Sequence, residues 1–387
     1  MDVTLLINGE QAFKNILDAI DKAEKTIFIK MFIWRNDAIG NAMGERVLEA
    51  AQRGVRVHIV KDQVGGMFEF AEERKDSFFH STLPLTLRLQ SVVLDYSYSM
   101  QGEAPRHKQV LCALAIALLN HPNVIIEADT RLYDHSKFYI FDDKILFLGG
   151  MNVEDKEVTF DVAGNFYHDF MVKIASKNAI TKLLEAQKNG GNSVCNLQKQ
   201  KENDPRQFDF FLNAHYQGMR IHILKKALIN RLLQAKKSLH IVMAYWGDKD
   251  ISDCLALLAK KGVAIRIITP QKANLQDDLN KKSLVDLLNQ AGRGIELYLC
   301  RDMIHGKIIW IDEEYLILGS ANMNKQAMHK LGETNVGFFT DIWGLNEILK
   351  EAIKKIEHHS VLVEDVQLLR YKKWKAFLEG FLLKRWS

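Results

Sequence analysis

The stretch DHSKFYIFDDKILFLGGMN at 134–152 returns as IHGKIIWIDEEYLILGSAN at 304–322. Both copies fit one template: His, any residue, Lys, four residues, Asp, six residues, Gly, Gly or Ser, any residue, Asn. The first supplies His135, Lys137, Asp142, Gly149, Gly150 and Asn152; the second supplies His305, Lys307, Asp312, Gly319, Ser320 and Asn322. At ordinary residue frequencies one chance match to these six positions is roughly a one in 10⁵ event for such a chain. Two matches in corresponding halves mean that one half-site has been built twice.

The echo extends upstream. EKTIFIKMFIW (24–34) parallels KSLHIVMAYW (237–246), and RGVRVHIV (53–60) parallels KGVAIRII (261–268). Apolar spacing predicts helices over Ala12–Lys25 and Ala227–Lys237 and crossover helices over Asn41–Arg53 and Ser252–Lys261. IFIKMFIW and LHIVMAYW read as buried strands. This βαβ alternation predicts an α/β protein with a mostly parallel or mixed sheet, covered by helices, in each half.

The copies differ in length, because Gly54 and His135 stand 81 residues apart and Gly262 and His305 only 43. The surplus, about 66–122, reads as an insertion. Its aromatics Phe68, Phe70, Phe78, Phe79, Tyr96 and Tyr98 suit either an extra packed subdomain or a surface for acyl chains and membrane. The polar stretch 187–207 has linker chemistry and sets expected lobes at 1–186 and 208–387.

A chain of 387 residues with 47% hydrophobic and 26% charged residues has ample core for two lobes. A net charge of +4 is too mild to indicate nucleic acid and suits local handling of anions. Cys112, Cys195, Cys254 and Cys300 are scattered, which argues for free thiols in a reducing compartment rather than a zinc site. The N-terminus MDVTLLINGEQAF resembles neither a signal peptide nor an anchor. The longest apolar run, Val110–Leu119, is about half of a bilayer span. A cytoplasmic, peripheral protein is expected.

HSKFYIF and HGKIIWI are β-branched and aromatic, so each motif should open on a strand, with His135 beside Lys137 and His305 beside Lys307 on one face. Asp142-Asp143-Lys144 and Asp312-Glu313-Glu314 read as hairpin turns, after which ILFLGG and YLILGS return Asn152 and Asn322 to the site. A phosphodiester gains charge on its nonbridging oxygens at the transition state. Two lysines and two amides can hold those oxygens while one histidine attacks phosphorus and the other protonates the leaving alkoxide. Neither role needs a metal or cofactor, and no carboxylate cluster at metal-ligand spacing stands near either motif. Asp142 and Asp312 belong to the candidate catalytic set, but their turn positions favour tying down the loop over direct contact. The RHKQ segment at 106–109 lacks the following Gly-Gly-x-Asn and is a decoy.

At these residues the chain resembles the two-motif phospholipase D superfamily over nearly its full length, most of all the bacterial cardiolipin synthases and related transphosphatidylases. The resemblance implies two pseudo-twofold-related lobes, each a mixed sheet flanked by helices, with the site at their seam. It also implies a covalent phosphohistidine resolved by water or an alcohol, with His135 as nucleophile and His305 as general acid. An acidic residue past each Asn orients a histidine in that family, and Asp169 and Glu333 occupy matching places. A carboxylate there fixes the imidazole tautomer. The chain departs from the family where the synthases often begin with membrane helices, and in the loose match after Asn152.

The resemblance implies a phospholipid substrate, phosphatidylglycerol above others. RYKKWKAFLEGFLLKRWS (370–387) places Tyr371, Trp374, Phe377, Leu378, Phe381 and Leu382 near one helical face among basic residues. That fits an anionic membrane surface or, equally, a helix docked on the second lobe. Nuclease chemistry on the same scaffold is the competing reading. It is disfavoured by the length, both motif aspartates and the lack of a basic stripe. The duplication removes any need for an oligomer to complete the site.

Overall fold

The computed structural model describes residues 2–71, 76–97, 108–160, 164, 166–189, 196–216 and 219–385. Tyr98, Arg106, His107 and Cys195 lie outside these residues, as do the side chains of Tyr96, Leu382, Lys384 and Arg385. The chain divides into two compact units, Met1–Thr181 and Lys182–Ser387.

The first unit runs β1 (Asp2–Ile7), α1 (Asn8–Lys22), β2 (Thr26–Met31), α2 (Ala38–Gln52), β3 (Arg56–Lys61), α3 (Gln63–Ala71), α4 (Leu85–Ser97), α5 (Ala113–Leu119), β4 (Val124–Glu127), β5 (Phe138–Phe141), β6 (Ile145–Gly149), β7 (Tyr167–His168) and β8 (Phe170–Ala175). Helix α6 (Lys177–Asn189) carries the chain onward. The second unit continues with α7 (Leu197–Asn203), β9 (Asp209–Tyr216), β10 (Met219–His222), α8 (Leu224–Leu232), β11 (Ser238–Met243), α9 (Lys249–Lys260), β12 (Ala264–Pro270), α10 (Asp277–Ala291) and β13 (Ile295–Cys300). It ends with β14 (Met303–Ile304), β15 (Lys307–Ile311), β16 (Tyr315–Gly319), α11 (Lys325–His329), β17 (Glu333–Phe339), α12 (Asn346–His358), β18 (Ser360–Leu362) and α13 (Lys373–Arg385).

The sheets repeat each other strand for strand. The first has the order β1-β8-β6-β5-β2-β3-β4, and the second contains β9-β17-β16-β15-β11-β12-β13 with β10 and β18 added at its edges. In each, the strands from the βαβ unit pair in parallel and the motif hairpin joins them antiparallel. Both faces are covered, so the inner strands are apolar throughout: β5, FYIF, and β15, KIIWI, are buried at every position. The crossover helices begin a turn earlier than their apolar spacing implies, because aspartate caps them. Asp37 accepts from the Gly40 amide at 2.9 Å and Asp248 from the Ile251 amide at 3.2 Å.

The structure decides three features that the sequence raised. Phe70, Phe78 and Phe79 of the insertion are core, with Phe78 and Phe79 ring centroids 5.6 and 5.2 Å from the fully buried Trp34. Burial of each is worth about 1.5–3 kcal/mol, which explains why these rings turn inward. The exposed apolar stripe of that region is instead Leu85, Leu89, Val92 and Val93, one face of α4.

The 187–207 stretch is not plain linker. The unit boundary falls within α6, and α7 buries Gln200, which donates to Asp209 at 2.8 Å and accepts from Arg231 at 3.0 Å. Finally, α13 docks on α10 through Ala376 and Glu379, whose carboxylate accepts from the Leu279 amide at 2.8 Å. Trp374 and Phe377 of the same helix stay 66% and 77% exposed. A helix docked by a small residue and a carboxylate leaves its large apolar groups outside. No helix among the described residues is long and apolar enough to cross a membrane.

Candidate active site

Each half-site grows from the end of the strand that pairs with the motif hairpin. In the first unit, β2 runs out into Phe32, whose ring meets His135 edge-on at 4.8 Å between centroids. Lys137 is fully buried; its ammonium lies 5.3 Å from the Phe32 ring centroid and donates to the His135 carbonyl at 2.6 Å. In the second unit Lys307 makes the same return bond to the His305 carbonyl. The histidines therefore do not sit on strands, contrary to the sequence pattern. β5 begins at Phe138 and β15 at Lys307, and the lysine that follows each histidine ties down its backbone.

The returning strands deliver the asparagines. Val153 bridges to Trp34 and Met323 to Trp246, so Asn152 and Asn322 are held just before a rung that closes onto the neighbouring strand's extension. Both are buried, and among the described residues the side-chain oxygen of each has no hydrogen-bond partner. The same oxygen is therefore left over at matching positions of the two half-sites. Asn152 spends one N–H on Glu154 at 3.0 Å, leaving its second N–H and its oxygen. Glu154 is in turn paired with Arg35 at 2.7 Å.

Asp169 and Glu333 occupy equivalent places in register, each beside the small residue of its motif. A Cβ added at Gly150 would stand 2.6 Å from an Asp169 carboxylate oxygen, so only glycine admits that carboxylate. At Ser320 the hydroxyl makes use of the same closeness by donating to Glu333. Asp169 also accepts from the Phe170 amide at 2.7 Å.

The motif aspartates do something else. Asp142 and Asp312 occupy left-handed positions, φ 52° and 53°, of tight hairpin turns. Five residues of chain separate each from its lysine, about 16 Å along a strand. The Asp142 carboxylate accepts from the amides of Glu24, Lys25 and Thr26 at 3.0, 2.7 and 2.9 Å. That of Asp312 accepts from Lys236, Lys237 and Ser238 at 2.9, 2.7 and 2.9 Å. Burial works to raise the Asp142 carboxyl, but the three amides outweigh it and hold the pKa below the ordinary value. This geometry assigns both aspartates to fastening the hairpin turn rather than to the reacting atoms. Asp142→Ala should lower stability by about 1–2 kcal/mol, read as the shift in a urea midpoint, while kcat stays within about threefold of wild type. A loss of rate with unchanged melting would overturn that assignment.

Sequence reasoning missed the charged groups behind the first half-site: Arg35, Glu154, Lys61, Glu69 and Asp62. The available signal was the inequality of the copies, since Trp34-Arg35 and Lys61-Asp62 have no charged counterpart in Trp246-Gly247 and Thr269-Pro270. Each half-site sets an imidazole and an ammonium side by side, a set that attracts an anion and repels a cation.

The family model described as "Cardiolipin synthase, PLD-like domain" matches residues 16–189 and 228–359. The chain is 25% identical over 379 residues to the probable cardiolipin synthase YwiE of Bacillus subtilis, covering 95% of this chain and 66% of that protein. It is 22% identical over 371 residues to the cardiolipin synthase of Alkalihalophilus pseudofirmus, covering 92% and 66%. It thus spans about two thirds of the length of these relatives. The crystal structure of phosphatidylserine synthase from Haemophilus influenzae shares the fold, with a TM-score of 0.68, 13% identity, and coverage of 99% of this chain and 93% of that one. The motif pair, the repeated sheets and the match over both halves agree: the chain belongs to the family of cardiolipin synthase phospholipase D-like domains.

Proposed function

We propose that this chain is a phosphatidyltransferase acting on phospholipid phosphodiesters, in the manner of a cardiolipin synthase. The observation that supports it is that each unit carries the same histidine, lysine and asparagine on equivalent elements of a repeated sheet, in a chain whose two halves both match the family. In this reading they act on one phosphodiester. A neutral imidazole nitrogen of His135 attacks phosphorus, the bond to the headgroup oxygen breaks, and His305 gives that oxygen its proton. His305, now neutral, then takes the proton from an acceptor hydroxyl, whose oxygen attacks the phosphohistidine and frees His135. Lys137 and Lys307 balance charge on the nonbridging oxygens, with Asn152 and Asn322 hydrogen-bonding beside them. Asp169 and Glu333 orient the histidines.

Phosphatidylglycerol is the favoured lipid, as both donor and acceptor. Exposed Trp374, Phe377, Leu378 and Phe381 on α13 beside Lys373 and Lys375, and the Leu85–Val93 stripe of α4, support peripheral contact with an anionic membrane. Purified protein would be incubated with vesicles of phosphatidylglycerol and phosphatidylethanolamine, sedimented with them, and its products read by mass spectrometry. Cardiolipin with released glycerol or ethanolamine is the expected result. Phosphatidic acid alone would make the chain a hydrolase. Failure to turn over lipid, with cleavage of an artificial phosphodiester or DNA, would favour the nuclease reading, and absence from the vesicle pellet would remove the membrane contact.

A further inference from the structure

His135 precedes β5, and beside it Asp134 forms a single β-bridge rather than part of a strand. Two buried carboxylates hold this stretch. Asp62, 1% exposed, follows β3 and accepts from the amides of Leu132 at 3.1 Å and Asp134 at 2.6 Å, and from Val64 at 2.9 Å. Asp134, itself buried and paired with Lys30 of β2, accepts from the Ser136 amide at 2.9 Å. Between the two amides gripped by Asp62 lies Tyr133, at φ 53°. A left-handed backbone costs a residue with a Cβ roughly 1–2 kcal/mol, so it persists only where the surroundings enforce it.

The second half-site is built differently at the matching positions. Matching the strand registers through the two hairpins places Pro270 where Asp62 stands, and no residue from Cys300 to Ile311 has a positive φ. Proline's ring side chain accepts no hydrogen bond. Just ahead of His305 the chain forms the short strand β14, where the first unit has the single bridge at Asp134.

We infer that Asp62 is a positioning residue for His135, clamping Tyr133 in the left-handed conformation so that the imidazole is presented at a fixed place and angle. The asymmetry fits unequal duties for the two histidines: an attacking nitrogen must meet phosphorus along one line, whereas a proton donor tolerates more latitude. The catalytic part of this inference rests on His135 being the reacting histidine; the clamp itself does not.

The test is Asp62→Asn. Asparagine keeps one oxygen for Leu132 and Val64 but turns an NH2 toward the Asp134 amide, donor against donor. With the artificial phosphodiester and with lipid, kcat should fall about tenfold to a hundredfold while KM stays within about twofold, as for a misplaced reacting group. Adding Tyr133→Gly, which adopts positive φ without the Cβ penalty, should restore kcat to within about threefold of Tyr133→Gly alone. A general structural defect would not be repaired by that substitution, so loss without rescue overturns the inference, as does unchanged kcat. Hydrogen exchange of the 132–136 amides supplies a readout independent of turnover: faster exchange in Asp62→Asn supports the clamp, and unchanged exchange overturns it. Wild-type protein without turnover would refute the proposed function while the exchange result still decides the clamp.

Discussion

His135→Ala should leave no turnover and no covalent adduct, whereas His305→Ala should lower lipid turnover about a thousandfold yet still form the adduct with a substrate whose leaving group needs no proton. The difference follows from the two duties. Removing a nucleophile deletes the first bond that has to form, and nothing else at the half-site replaces it, because the ammonium of Lys137 carries no lone pair. Removing a general acid costs the factor of about 10²–10⁴ typical of proton transfer. A phosphodiester with a nitrophenolate leaving group bypasses that factor. Quenching in denaturant at mildly alkaline pH, because a phosphohistidine is lost in acid, followed by intact-protein mass spectrometry without acid would detect a phosphatidyl adduct in wild type and accumulate it in His305→Ala. An adduct in His135→Ala and none in His305→Ala would reverse the roles. Full activity in either variant would sink the paired-histidine mechanism altogether.

The duplicated motif was legible because it is local. Six positions within nineteen residues repeat, and alternation, turn chemistry and the βαβ order all follow from neighbours in sequence. That reading gave the hairpins and the turn positions of Asp142 and Asp312, whereas Asp169 and Glu333 were singled out only by the family resemblance. It failed where the outcome depends on what arrives from elsewhere in the chain. His135 looks like a strand residue by composition, but β2 ends at Met31 and Phe32 turns into the site instead of extending the ladder. For the aromatics at 70, 78 and 79 the sequence left packing and a lipid-facing surface both open, and Trp34 decides for packing of Phe78 and Phe79. In α13 apolar residues are spread around the helix rather than gathered on one face. Which face docks is decided by Leu279 and Asp278 of α10, a hundred residues earlier, which engage Glu379 and Lys375. Lys61 and Glu69 belong to no motif in the sequence, and only the tertiary fold shows them meeting in the interior.

That pair supports the largest expected loss of stability. Lys61 and Glu69 are both fully buried, 2.8 Å apart, and Glu69 also accepts from the Trp34 amide at 2.7 Å and from the Ser77 hydroxyl. Burial alone would raise the Glu69 carboxyl, but Lys61 and then His80 outweigh it and bring the pKa down to about 2. Glu69→Gln preserves shape and can still accept from Trp34, but it leaves the Lys61 ammonium without its counter-charge in the core. Breaking a buried pair in this way costs about 3–5 kcal/mol, far more than the intact pair contributes over an apolar replacement. The urea midpoint of the first unit should fall accordingly at neutral pH, and Lys61→Met added to Glu69→Gln should recover much of the loss by removing the stranded charge. The sign with pH is fixed. A depressed carboxyl contributes stability that is present above its ordinary value of 4.5 and lost as pH falls toward 2. The deficit of Glu69→Gln should therefore shrink in acid. The same substitution reaches the half-site, because Arg35 donates to the Glu69 carbonyl at 2.9 Å while holding Glu154, the partner of Asn152. A variant that melts early yet keeps its kcat well below the transition would show that Arg35 retains that geometry without the charge behind it. A parallel loss of kcat would show that the buried pair sets the position of Asn152 as well as the stability of the fold.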